Sequence, residues 1–131
     1  MKRIVQPEGW KRPRGYSNGI AASGEQVFIA GQIGWNEREE IVSSDFAEQT
    51  AQALRNVVAV LADAGGKPEH LVRMTWYVTD KREYAACAKR IGEAYRTIVG
   101  ENYPAMTLVQ VADLLEDGAK VEIEATAVVP G

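Results

Sequence analysis

Tyr103-Pro104-Ala105-Met106-Thr107-Leu108-Val109-Gln110-Val111-Ala112, followed by Val121-Glu122-Ile123-Glu124-Ala125-Thr126-Ala127-Val128, says more than the rest of the chain together. Both halves alternate by residue type, the period of a β-strand whose side chains point in turn to opposite faces. The second half sends Glu122 and Glu124 to one face and Val121, Ile123, Ala125 and Ala127 to the other. Acidic residues form strands poorly, and a sheet tolerates them where they meet water, a partner or a site. Glu122 and Glu124 therefore stand out first.

Upstream, Leu71 to Val78 is apolar, aromatic and β-branched, and reads as a buried strand. Gly19 to Ala22 and Gln26 to Ile33 read as two further strands, joined by Ser23-Gly24-Glu25 in a hairpin-type connection. Gln6 to Asn18, rich in Pro, Gly and basic residues, reads as an irregular lead-in. Ser44 or Asp45 can cap a helix whose apolar stripe is Phe46, Thr50, Leu54, Val57, Val58 and Leu61. Gly65-Gly66 stops that helix and Pro68 prevents its resumption. A second helix follows Asp80, with Tyr84, Cys87, Ala88, Ile91, Tyr95 and Ile98 on one face and Gly100 near its end.

The order β-β-α-β-α-β-β implies some parallel pairing through helical crossovers, with antiparallel hairpins at the ends. The expected fold is α+β, a single sheet with two helices on one face, in one domain spanning 1-131. Two helices cover only one side. Strand residues look apolar on both faces, Val27 and Ile29 against Phe28 and Ala30, Leu108 against Val109 and Val111. An uncovered apolar face predicts oligomerisation.

Composition excludes several function classes. The formal charge of -3 gives no general pull toward nucleic acid or anionic membrane, and no RNA-reading motif is present. No apolar run approaches the ~20 residues of a membrane helix. No long apolar segment follows Met1-Lys2-Arg3, so a secretory signal is not expected and the cytoplasm is the expected compartment. One cysteine and one histidine build neither a disulfide framework nor a common zinc cluster. Gly31-Gln32-Ile33-Gly34 lacks the dinucleotide fingerprint and no P-loop is present, so no metal and no cofactor are expected. Cys87 reads as an inert core thiol and His70 as an exposed turn residue.

The Pro-Ala-x-Thr strand at Pro104 to Thr107, followed by Glu122-Ile123-Glu124-Ala125, resembles the signature of the RidA (YjgF, or liver perchloric-acid-soluble protein) family. Gly15-Tyr16-Ser17-Asn18-Gly19, Val27 to Ile33, Gln49 to Val57 and Thr75 to Asp80 resemble the family's other motifs, in the correct order. The resemblance implies a chorismate-mutase-like subunit in a homotrimer, with small-molecule clefts between neighbouring subunits. It also implies a pocket lined by Tyr16, Gly31, Met106, Thr107 and Glu122. Three positions depart from the deaminating members. Met106 replaces an arginine that grips the substrate carboxylate, Ala30 replaces a small hydroxyl residue, and Ala88 and Lys89 stand where an asparagine would fall.

Deaminating members hydrolyse enamines and imines derived from amino acids, giving a keto acid and ammonia. The imine carbon is already electrophilic, so the protein has to hold the substrate, position a water and manage a proton. Glu122 suits the last two tasks and arginine would suit the first. Losing an arginine–carboxylate contact costs on the order of 2–5 kcal/mol in a desolvated site, a factor of roughly 30 to several thousand. Arg14 is the nearest candidate in sequence to replace it; otherwise a neutral, cationic or more apolar ligand fits better. Two functions follow: an imine or enamine deaminase altered in substrate by Met106, with Glu122 as catalytic residue, or a non-catalytic trimer that binds a small metabolite or a client protein.

Overall fold

The computed structural model describes residues 1–131 and contains six strands and three α-helices. In chain order they are β1 (Lys2–Val5), β2 (Gly19–Ala22), β3 (Glu25–Gln32), α1 (Phe46–Asp63), β4 (Leu71–Val78), α2 (Lys81–Ala86), α3 (Ala88–Ile98), β5 (Ala105–Gln110) and β6 (Val121–Val129). The main sheet has the order β3-β6-β4-β5. β4 and β5 run parallel through the helical crossover, and β6 is antiparallel to both of its neighbours.

Local chemistry sets the helix ends. The Asp45 carboxylate accepts the Glu48 amide at 2.9 Å and so caps α1. Arg90 of α3 donates to both Asp45 oxygens, at 3.1 and 2.7 Å, and holds its carboxyl below the usual range. α1 ends where Gly65 adopts a left-handed φ of 83° and the Gly66 amide returns to the Leu61 carbonyl at 3.0 Å. Its stripe of Phe46, Leu54, Val57 and Leu61 meets Met74, Trp76, Ile123 and Ala125 from the sheet, with Ile91 and Tyr95 from α3, in one core. The helices lie on one face of the main sheet, as the apolar stripes predicted.

Three features differ from the expectation. β2 and β3 do not pair across Ser23-Gly24-Glu25. β2 instead pairs with β1 in a separate two-stranded ribbon, while β3 pairs with β6. The closing strands β5 and β6 form no hairpin either, because β6 inserts between β3 and β4 and satisfies both edges at once. The second helix is broken at Cys87, whose amide is shared between the Glu83 and Tyr84 carbonyls at 3.1 Å each. The break separates Tyr84, edge-on to both Phe46 and Trp76 at 6.4 Å, from the face of α3 that carries Ile91 and Tyr95 into the core.

The helix-free face is also more polar than patterning suggested. Arg73, Thr75, Thr107, Glu122, Glu124 and Thr126 share it through the strand register, with Phe28, 73% exposed, as its largest apolar member. The alternation of β4 turns Arg73, Thr75 and Tyr77 away from the core that receives Met74, Trp76 and Val78.

Candidate functional site

The lead-in chain places the first site residues. Gly15 has a left-handed φ of 76°, which turns the chain so that Ser17 runs beside the start of β5. The Ser17 amide donates to the Pro104 carbonyl at 3.1 Å and its hydroxyl to the Tyr103 carbonyl at 2.5 Å. Tyr16 is thereby fixed next to Met106 and Thr107 in an open cleft of about 640 Å³, which Phe28, Arg73 and Thr126 also line. The cation in this cleft is Arg73, not Arg14; Arg73 lies opposite Ala105 in the parallel register and Arg14 lines no part of the cleft.

Met106 has a second exposure. It stands beside Met74 in the register and packs against the core on the helix side. There it closes a separate cavity of about 290 Å³ between β5 and the α2–α3 pair, lined also by Trp76, Tyr84, Ile91 and Tyr95. Burial pushes the Tyr84 and Tyr95 hydroxyls up from their ordinary pKa, so both stay neutral.

Gly31 and Glu122 form another locus. β3 shifts register against β6 between Ile29 and Gln32, and the irregularity brings the Gly31 backbone under the Glu122 side chain. A β-carbon at position 31 would lie 2.8 Å from Glu122 Cδ and 2.9 Å from Cγ. Only glycine leaves room for this carboxylate. Glu122 is half-buried and takes part in none of the chain's side-chain hydrogen bonds or three ion pairs. Glu124 differs, since it accepts the Tyr77 hydroxyl at 2.8 Å and so raises the Tyr77 pKa.

The five predicted residues therefore fall into two groups. Tyr16, Met106 and Thr107 share one cleft, and Gly31 and Glu122 lie together outside it. Of the positions that depart from the deaminase pattern, Ala30 and Ala88 are exposed, as is Lys89. Cys87 is half-buried against the core. His70 is half-buried rather than free in a turn, and its Nδ1 accepts the Lys67 amide at 2.9 Å. Arg73 and Trp76 were missed because Leu71 to Val78 reads as one buried run. The single charge inside that run was the available signal for Arg73.

No group of three or more His, Cys, Asp or Glu side chains is placed to hold a metal ion. No helix is long and apolar enough to cross a membrane.

A mixed sheet backed by helices on one side, with a glycine-seated carboxylate at an irregularity of β3, defines a small α+β domain of known lineage. Residues 10–129 match the endoribonuclease L-PSP family profile, and the chain belongs to that family, also called RidA/YjgF. A RutC family protein of Pyrococcus horikoshii is 37% identical over 129 residues, covering 97% of this chain and 98% of the relative. The 2-iminobutanoate/2-iminopropanoate deaminase of Escherichia coli is 37% identical over 105 residues, 80% of each chain. The solved structure of YyfB from Yersinia pestis, a protein of unknown function in the conserved Rid family, superposes with a TM-score of 0.82 at 32% identity, covering 98% of both chains.

Proposed function

We propose that this protein hydrolyses small reactive imines or enamines, with a substrate preference altered by Met106. Water adds to the imine carbon as the C=N π electrons move to nitrogen. An enamine first takes a proton at carbon and loses one from nitrogen to become the imine; after water adds, two protons pass in turn from the added oxygen to nitrogen, the C–N bond breaks as the oxygen lone pair forms C=O, and ammonia leaves. In this reading Glu122 accepts protons from the added water and returns them to nitrogen. The observation that carries the reading is its carboxylate, unpaired within the chain and seated on Gly31. The family membership and the relative named as an iminobutanoate deaminase support it.

Tyr16, Met106 and Thr107 supply the binding half and Gly31 with Glu122 the proton-handling half. Their separation within one chain favours a site completed between neighbouring copies, as in a homotrimer with ligand clefts at the subunit boundaries. Met106 brings no charge of its own to a substrate carboxylate, so neutral or more apolar imines are preferred over small anionic ones except where Arg73, the cation of the same cleft, meets the carboxylate. The same residue supports a second reading, a trimer that binds a metabolite or client protein without chemistry.

The test is a panel of charged and neutral imines and enamines, followed by ammonia and carbonyl release. Glu122→Gln keeps the side chain's shape and should reduce turnover by about 10²–10⁴, while Glu124→Gln should leave it nearly unchanged. No turnover on any member of the panel, with a folded protein, would leave the binding reading in its place.

A further inference from the structure

The lead-in segment is irregular but not loose. Gln6 fastens it: its side-chain amide donates to the Trp10 and Lys11 carbonyls at 3.4 Å each, and its amide oxygen accepts Asn18 Nδ2 at 2.8 Å. A loop held in this way presents its side chains in fixed places. The largest of them is Trp10, left 62% exposed. A tryptophan that open forgoes most of the burial that usually repays its size.

Trp10 lines a space of about 610 Å³ bounded by this loop, the β1–β2 ribbon and residues 101–103. The charged residues of its wall are Lys2, Arg12 and Glu101, two cations against one acid. Neither cation belongs to any of the chain's three ion pairs, and Arg12 donates no side-chain hydrogen bond. Lys2 donates to the Glu69 backbone carbonyl and to Asn102 Oδ1, both uncharged acceptors, which leaves one ammonium proton over. Partial burial lowers the Lys2 pKa by more than the nearby Glu69 carboxylate raises it. An anion beside Lys2 would offset that burial. The wall therefore offers a broad apolar ring and unbalanced positive charge together.

This space adjoins the cleft of Met106 and Thr107. Tyr16, Ser17 and Ile20 line both, and since Ser17 is buried a ligand lying in the two at once passes over the exposed Tyr16. We propose that the lead-in loop forms a second subsite that takes a flat, acidic arm of the substrate, its ring against Trp10 and its carboxylate meeting Arg12 and Lys2. At roughly twenty times the ~30 Å³ of a water in the liquid, the space admits an aromatic ring with its acid, far more than an imine of a few carbons fills. The substrate class is then an imine that is neutral at its reacting end, as Met106 favours, and carries an aryl acid at the other. That the arm belongs to a substrate rests on the deaminase reading; that the loop binds an aryl acid does not.

The experiment titrates phenylacetate and its neutral counterpart phenylacetamide into ¹⁵N-labelled protein. The Trp10 indole cross-peak is identified by its loss in Trp10→Ala. Phenylacetate should move that peak and bind about three- to tenfold more tightly than the amide, the worth of two partly exposed ion pairs. Arg12→Gln should remove part of that difference, and Lys2→Gln added to it the rest. Trp10→Ala should weaken both ligands about two- to tenfold, the worth of an aromatic pair. Trp10 and Arg12 are exposed, so neither of their substitutions puts folding at stake. An unmoved Trp10 peak, equal affinity for acid and amide, or a difference that survives both cation substitutions overturns the assignment. Turnover of small imines alongside an unmoved peak overturns it alone; phenylacetate bound at Trp10 without turnover of any imine overturns the deaminase reading alone.

Discussion

Gly31→Ala tests the proposed role of Glu122 without touching Glu122 itself. The added β-carbon would stand 2.8 Å from Glu122 Cδ and 2.9 Å from Cγ, while carbon contacts settle at about 3.5–4.0 Å. The carboxyl group must therefore retreat by about 1 Å, a displacement that costs on the order of 10²-fold when it misplaces a group in a catalytic geometry. Stability should hardly change. Gly31 is not in the left-handed region, so alanine gains about 0.4–1 kcal/mol by restricting the unfolded chain. That offsets the ~0.5–1.5 kcal/mol of an off-rotamer glutamate. The assay is a thermal melt together with turnover of the best imine from the panel. The expected result is an unchanged melt and a rate near that of Glu122→Gln, with no further loss when the two substitutions are combined, because both remove the same act. Wild-type turnover in Gly31→Ala, or an extra loss in the double variant, would show that Glu122 does not act from its seat on Gly31.

Met106→Arg should raise turnover of 2-aminoacrylate and similar anionic imines by at least ~10-fold, since the guanidinium fork again meets the carboxylate; steady-state kinetics with a parallel melt check it. Light scattering on dilute protein should give a mass near three times 14.4 kDa, and a clean monomer would remove the cleft shared between copies. Gln49→Ala should cost on the order of 3 kcal/mol, because Gln49 is fully buried and its loss strips partners from the Ser43 and Gly118 carbonyls and the Lys120 amide. Chemical denaturation reads that loss directly, and turnover should fall with it, since the strap from α1 to residue 120 lies two residues before Glu122.

Much of the fold was legible. Leu71 to Val78 and the stripe from Phe46 to Leu61 were found because one side-chain period ran unbroken through each. The same alternation put Glu122 and Glu124 on the face away from the core. Partner choice was not legible, because it depends on residues far apart in sequence. β2 looked like half of a hairpin with β3, yet its mate is Lys2–Val5, a short exposed run with no alternation to read. The break at Cys87 depends on rings from α1 and β4 meeting Tyr84, which no local pattern of helix residues encodes. For the site, residue types carried the candidates, but the division between Tyr16–Met106–Thr107 and Gly31–Glu122 depends on sheet faces. Arg73 and Trp76 were hidden inside a strand that looked uniformly buried. The difference between the two glutamates lay in Tyr77, a neighbour across the sheet.

The strand at the heart of the main sheet is also the last of its four strands to be translated. β3 has β6 as its only neighbour in that sheet, and β6 in turn fills the edge of β4. A nascent chain emerging at ~5–20 residues per second carries two strands with open edges, Phe28 among them, until residues 121–129 leave the ribosome. Helices and the β4–β5 pair can form on the way, but closure must bridge nearly the whole length of the chain. The interval before β6 emerges is therefore when the sheet is most exposed to edge-to-edge aggregation. A stop codon ahead of Val121 would remove the sheet's keystone rather than trim its border.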